Sequence, residues 1–226
     1  MKRKIITTSD GSKTIQLVDL NEQYHSTHGA LQESQHVFIK SGLQHVLSLN
    51  NHLKSISILE IGFGTGLNAM ATLQESTYKK VTINYVGVEA YPVLNDELSD
   101  LNYGVHFTID NSEVLFQDIH KCTWDKSHKI TPHFFLEKQQ KLFSEISDKN
   151  CFNLIYFDAF GFRVQPEHWT EAIFIKMFDA LKPGGVLVTY SAKGSVRRAM
   201  QAVGFTVERL PGPPGKREML RALKEA

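Results

Sequence analysis

A chain of 226 residues, 42% hydrophobic and 22% charged, has an ordinary globular composition and enough length for one α/β domain with a substantial core, while two full domains would be a squeeze. Its formal net charge of +1 announces no polyanionic partner by sum alone. No apolar run approaches the ~18 residues of a membrane span, and the basic start Met1-Lys2-Arg3-Lys4-Ile5-Ile6-Thr7 has no apolar stretch behind it, so a cytoplasmic protein without a secretory signal is expected.

Residues 1–29 read as irregular, with short strands at Ile5–Thr7 and Thr14–Leu17. Ile39, Leu43, Val46 and Leu47 recur at i, i+4, i+7 and i+8, one face of a helix over residues 30–49. The first central strand is Ile56–Ile61, followed by a helix from Leu67 to about Gln74. The second is Ile83–Glu89, followed by a helix opened by Pro92. Val105, Phe107 and Ile109 alternate, and Val114–Phe116 resume after Asp110-Asn111-Ser112, the pattern of a hairpin. His133–Leu136 reads as the third parallel strand and Gln139–Ile146 as its helix. The continuous apolar run Phe152–Phe157 fits a strand covered on both faces. A helix over Ala172–Leu181 is stopped by Lys182-Pro183-Gly184-Gly185, and a strand follows at Val186–Tyr190. A last helix, Ser195–Val203, precedes late strands at Phe205–Arg209 and Met219–Leu223. Strands alternating with helical patterns predict an α/β fold with a doubly wound parallel sheet, whose ligands bind beyond the carboxyl ends of the strands.

Cys122 and Cys151 lie far apart and neither has metal-ligand spacing, so both read as reduced thiols. His25 and His28 are three apart, but no carboxylate or cysteine pattern completes a site, and no metal is expected.

The densest chemistry lies in Glu60-Ile61-Gly62-Phe63-Gly64-Thr65-Gly66-Leu67-Asn68. Three glycines between a strand and a helix let backbone approach a ligand at the helix's positive end. The dinucleotide fingerprint needs a further glycine where Leu67 stands, and a phosphate-binding loop needs Lys and Ser or Thr after Gly66, which are missing. The Glu-x-Gly-x-Gly-x-Gly form instead resembles motif I of class I S-adenosylmethionine (SAM) methyltransferases. The cofactor expected is therefore SAM, held by Glu60, Gly62, Phe63, Gly64, Thr65, Gly66 and Asn68. Glu89, with Ala90 beside it, ends the second strand a little over 20 residues beyond Gly66, where an acid accepts bonds from both ribose hydroxyls; the alternative is a solvated strand-end carboxylate. Asp158 follows the buried run Leu154-Ile155-Tyr156-Phe157 and precedes Ala159-Phe160-Gly161-Phe162. Next to the glycine loop it suits a catalytic role, aligning an amine nucleophile beside the sulfonium; a helix N-cap is the plain alternative. Phe160, Phe162 and Trp169 are either walls of the reacting centre or plain core. From Lys193 to Ala226 eight Lys or Arg stand against three Glu, a net +5 that leaves −4 for the rest. Such a patch suits a phosphate-bearing partner, or is simply a solvated face.

The order of further blocks carries a closer likeness. Pro166-Glu167-His168-Trp169-Thr170, Ser191 to Arg198 (with Val196-Arg197-Arg198), Gly215-Lys216-Arg217-Glu218-Met219-Leu220 and an N-terminal Tyr24-His25-Ser26, Gly29-Ala30, Glu33, Val37-Phe38 accompany the glycine loop and Asp158-Ala159-Phe160. Nearly the whole chain resembles the methyltransferase domain of the bifunctional tRNA wobble-uridine enzyme MnmC and its stand-alone form, MnmD. The resemblance implies a Rossmann-like class I fold with a mostly parallel seven-stranded sheet and an antiparallel last strand. It divides the chain into an extension at 1–50, its helix packed on the core, and a methyltransferase domain at 51–226. It implies N-methylation of the 5-aminomethyl group of (2-thio)uridine at tRNA position 34, with tRNA as partner and a separate enzyme supplying the aminomethyl precursor. Tyr24, Glu33, Phe160, Trp169, Arg197, Arg198, Lys216 and Arg217 would contact the substrate. One departure is plain: the family's Gly-Asp pair after the third strand is replaced by Gln140-Lys141, and no cofactor role carries over there. Read from residues alone, a small-molecule amine methyltransferase and a non-catalytic SAM- or RNA-binding module stay open.

Overall fold

Successive side chains of the central strands point to opposite faces of the sheet, and both faces are buried. Ile58, Tyr85, Leu136, Tyr156 and Val188 enter one apolar cluster, and Leu59, Val88, Ile155, Phe157 and Leu187 enter another. The structure is a computed structural model and describes residues 2–49, 52–101 and 103–225.

The chain opens with a small antiparallel meander of β1 (Arg3–Thr7), β2 (Lys13–Leu17) and β3 (Glu22–Gln23). A continuous helical segment follows: α1 (Ala30–Ser34), a π-helical stretch over Gln35–Gln44, and α2 (His45–Leu49). The expected helix is therefore present, with ten residues in the wider π winding. Val37, Phe38, Ile39, Gly42 and Leu43 are buried within that stretch. A β-carbon at Gly42 would lie 3.0 Å from Val188 and 3.3 Å from Tyr156, so this residue lets the helix rest directly on the sheet.

The main sheet is built from β4 (Ser55–Ile61), β5 (Thr82–Val88), β6 (Ser127–Thr131), β7 (Phe134–Gln139), β8 (Phe152–Phe157), β9 (Leu181–Thr189), β10 (Thr206–Pro211) and β11 (Glu218–Leu223). Their spatial order is β10-β11-β9-β8-β4-β5-β7-β6. The pairs from β9 to β7 are parallel, while β11 runs antiparallel to β9 and to β10. Strand order thus reverses at β4, between β5 and β8, and the loops after β4 and β8 meet there. Helices α3 (Leu67–Lys79), α4 (Asn95–Leu101), α5 (Ser112–Lys121), α6 (Glu171–Ala180) and α7 (Gly194–Ala202) complete the layers.

The seven expected strands are present with an antiparallel last strand, and β6 adds an eighth. Four local expectations are corrected. No hairpin spans 104–116: Phe107 and Ile109 drop into the core from irregular backbone, and Asn111, at φ 58°, starts helix α5. No helix spans 139–146: a single 3-10 turn, Phe143–Glu145, stands there, its Phe143 anchored in the core and its Glu145 carboxylate accepting the Leu142 N–H. The helix after β5 starts at Asn95, three residues beyond Pro92. The segment Lys182-Pro183-Gly184-Gly185 lies inside β9 as an irregularity, since the pairing jumps from Phe152–Leu181 to Leu154–Val186.

Candidate active site

The carboxyl ends of β4, β5 and β8 open into a cavity of about 1050 Å³, closed from the other side by the N-terminal meander and the β10–β11 turn. This exceeds the roughly 300–1000 Å³ of ordinary small-molecule pockets, enough for a cofactor and a second ligand together. Its wall includes Tyr24, Glu33, Gly62, Phe63, Gly64, Thr65, Asn68, Glu89, Ala90, Asp158, Phe160 and Lys216.

The glycine loop leaves β4 through positive φ at all three glycines. At Gly62 the reason is packing: a β-carbon would lie 2.6 Å from the carbonyl oxygen of Asp158. At Gly64 a β-carbon would press on the Tyr24 ring at 3.1 Å. Tyr24 in turn meets Phe160 edge-on at 4.9 Å between centroids, so the two aromatics form one wall. Burial pushes the Tyr24 phenol up to about 12, which keeps it neutral.

Asn68, the second residue of α3, ties the site together. Its amide nitrogen donates to Glu60 at 2.9 Å and to Asp158 at 2.8 Å, and its oxygen accepts from the Ser34 hydroxyl at 2.6 Å. Glu60 also accepts from the Tyr85 hydroxyl at 2.8 Å. Glu60 is 1% exposed and does not line the cavity: the acid at the head of the motif lies below the floor and acts through Asn68. Its burial raises its pKa well above the usual carboxylate range. Asp158 is half-buried; loss of hydration, then the charge of Glu33, raise its pKa to about 7, against the opposing pull of Asn68 and Lys216. A carboxylate poised there exchanges a proton readily near neutral pH.

Glu89 follows β5, where the backbone N–H groups of Gly64 and Tyr91 donate to its two oxygens at 3.2 and 3.0 Å. Burial nevertheless raises its pKa. Thr65 is gripped twice: His25 Nε2 meets its hydroxyl at 2.7 Å and His120 Nε2 its carbonyl at 3.2 Å. Burial lowers both imidazoles to about 4, so both are neutral at physiological pH. Across the cavity, Lys216 pairs with Glu33 at 2.5 Å and sits 3.8 Å over the centre of the Tyr190 ring. Glu33, 6% exposed, also accepts the Ser26 N–H at 2.8 Å.

Several expected residues stand elsewhere. Gly66 does not line the cavity and backs onto His120. Trp169 is buried behind the wall, donating its indole N–H to the Phe160 carbonyl at 2.8 Å. Arg197 and Arg198 sit on α7, and Arg217 on the exposed β10–β11 turn; none lines the cavity. Gln140 donates its backbone N–H to Asp125, and Lys141 faces Asp148 at 4.0 Å, both away from the cavity. Ser34, Tyr85, His120 and Tyr190 carried no sequence signal of their roles; the polar residue interrupting an apolar helix start at Asn68 was the one hint. Among the described residues no group of three or more His, Cys, Asp or Glu could hold a metal, and no helix is long and apolar enough to cross a membrane.

The cavity fits SAM on its own terms. It offers a loop with glycine at 62 and 64 on the cavity wall, a carboxylate at Glu89 with lone pairs left for hydroxyls, and no phosphate-binding lysine on the loop. Comparison with known proteins agrees. A family model described as S-adenosyl-L-methionine-dependent methyltransferase matches residues 110–225. The tRNA 5-methylaminomethyl-2-thiouridine biosynthesis bifunctional protein MnmC of Cupriavidus necator is 29% identical over 210 residues, 88% of this chain and 31% of the relative. The protein of the same name from Actinobacillus pleuropneumoniae is 30% identical over 217 residues, 87% of this chain and 31% of the relative. The chain thus spans about a third of the length of these curated relatives. The crystal structure of MNMC2 from Aquifex aeolicus superposes with a TM-score of 0.80 at 23% identity, covering 100% of this chain and 71% of that one. Spermidine synthase from Thermotoga maritima shares the fold more loosely, with a TM-score of 0.60 at 15% identity over 98% of this chain and 68% of that one. The chain belongs to the S-adenosyl-L-methionine-dependent methyltransferase family.

Proposed function

We propose that this chain methylates the 5-aminomethyl group of (2-thio)uridine at tRNA position 34. The observation that carries the reading is Asp158: a carboxylate at the end of β8, beside the glycine loop, aligned by Asn68 and half-open to a cavity with room for cofactor and nucleoside. The names of the bifunctional relatives supply the substrate. The C-terminal net charge of +5 suits a polyanion.

An alkylamine is mostly ammonium near neutral pH and has a lone pair only after losing a proton. Asp158, with its pKa raised to about 7 by burial and by Glu33, accepts that proton and holds the nitrogen in line. Held by the glycine loop and Glu89, SAM would supply its methyl to that nitrogen, its S–C bond exchanged for the new N–C bond. The amine becomes a secondary amine and the proton passes to solvent through Asp158. Glu89 binds the ribose hydroxyls, and Tyr24 with Phe160 walls off water. A separate enzyme supplies the aminomethyl group, and a tRNA substrate implies work in the cytoplasm.

Purified protein is given labelled SAM with tRNA carrying 5-aminomethyluridine at position 34, or with unmodified tRNA. Label should enter only the first, as the 5-methylaminomethyl nucleoside. Labelling of both alike, or of a free small amine instead, rejects the reading.

A further inference from the structure

The main cavity is acidic. Glu22, Glu33, Glu89, Asp158 and Glu167 line it, against Arg3 and Lys216, and Lys216 is already paired to Glu33. Such a lining welcomes an ammonium and repels phosphates. If the substrate is an RNA, as proposed above, its phosphodiester chain has to run outside this cavity.

A second concavity of about 450 Å³ lies between the helical segment Gln35–Leu49 and the edge hairpin β10–β11. His36, Lys40, Gln44 and Ser48 follow one another at intervals of four along it, over roughly 15 Å of helix. His45 lies beside them on the same segment, Arg221 faces them from β11, and no Asp or Glu among the described residues lines the groove. Three acids stand at its margins: Glu208 holds the Arg221 guanidinium at 2.7 Å, Glu75 accepts from Gln44 at 3.2 Å, and Glu218, opposite Pro211, pairs with Arg209 at 3.7 Å. Lys40 is exposed and has no ion-pair or hydrogen-bond partner among the described residues. The donors are partly fixed in place: His36 Nε2 donates to the Pro211 carbonyl at 2.8 Å, and Arg221 Nη1 reaches the Ser41 carbonyl at 3.4 Å.

The groove also joins the active site. Pro211, which lines it, leads into the turn that delivers Lys216 into the cavity and then carries exposed Arg217. One turn therefore separates an acidic chamber from a donor-lined channel. We infer that this groove is the track for the RNA backbone: phosphates pass from Arg217 along His36, Lys40 and Arg221 while the wobble nucleoside is inserted on the other side of the turn. It is a sequence-independent clamp that positions the anticodon strand and reads no base.

The test measures tRNA affinity by filter binding across a potassium chloride series, a readout that does not require methyl transfer. Lys40→Glu should weaken binding about tenfold and lower the slope of log affinity against log salt by about one, the signature of a lost phosphate contact. Lys129→Glu, an equally exposed change on β6 at the opposite edge of the sheet, should bind within about twofold of wild type. Wild-type affinity and slope in Lys40→Glu, or equal weakening by Lys129→Glu, overturns the inference. Failure of the methyl-transfer assay above, with Lys40→Glu still impaired in binding, overturns the proposed reaction and leaves the track standing.

Discussion

Asp158 is costly to the fold and useful to the chemistry. Its pKa of about 7 lies well above the ordinary 3.8, so the folded state disfavours the charged form. Stability from this group is therefore greatest below pH 4, declines between about 4 and 7, and stays low above. Asp158→Asn does not titrate and its oxygen still accepts from Asn68. It should raise Tm by a few degrees at pH 8, a gain on the order of 1 kcal/mol after allowance for partial exposure, and change little at pH 4. The same variant should lose about 10²- to 10⁴-fold in turnover while calorimetry still finds SAM binding. Turnover close to wild type would remove Asp158 from the mechanism. In wild type, activity should rise with pH through the neutral range, because the carboxylate must be ionised to take the amine's proton. Asn68→Ala is the complementary change. It leaves Glu60 and Asp158 each short a donor and the Ser34 hydroxyl without its acceptor, a loss of about 2–4 kcal/mol in denaturant titration.

At the scale of elements, the glycine loop and β8 form one unit. Gly62 touches the Asp158 carbonyl and takes φ +86°, so Gly62→Ala combines a conformational penalty of about 1–2 kcal/mol with a contact the β8 loop cannot relieve without moving Asp158. Reduced Tm together with loss of both SAM affinity and turnover is the expected outcome; normal kinetics would mean the two loops are independent. These elements were legible because doubly covered parallel strands are continuous apolar runs and because three glycines in five residues have few other uses. Other parts were not. Val105, Phe107 and Ile109 mimic a strand through chance alternation, while β6 is a polar edge strand, Ser-His-Lys-Ile-Thr, with no apolar period to detect. The contacts that complete the site join residues 34, 90 and 183 positions apart, and no local pattern encodes such pairs.

For the molecule as a whole, the two ends of the chain are fastened across the cavity. Glu33 belongs to the first helix and Lys216 to the last turn, and their bond closes the chamber that the sheet only floors. The surrounding core makes this closure structural as well as local. Ile15, Phe38 and Leu43 share one apolar cluster with Ile58, Tyr85 and Val188, so the first fifty residues are not a detachable cover. A buried carboxylate that loses its cation is far worse off than a neutral pair in its place. Lys216→Met leaves Glu33, 6% exposed, with only the Ser26 N–H, and should destabilise by about 3 kcal/mol. Adding Glu33→Gln should recover more than half of that stability, since the uncompensated charge is gone. It should not recover tRNA methylation, because the double variant still lacks two charged side chains of the cavity wall. The double variant should therefore fold well, and the rise of its residual activity with pH should shift slightly to lower pH, as the lost Glu33 charge raises the Asp158 pKa more than the lost Lys216 charge lowers it. Recovery of stability without that shift would mean that the opposite charges of Glu33 and Lys216 cancel at Asp158 and that the pair only fastens the cavity.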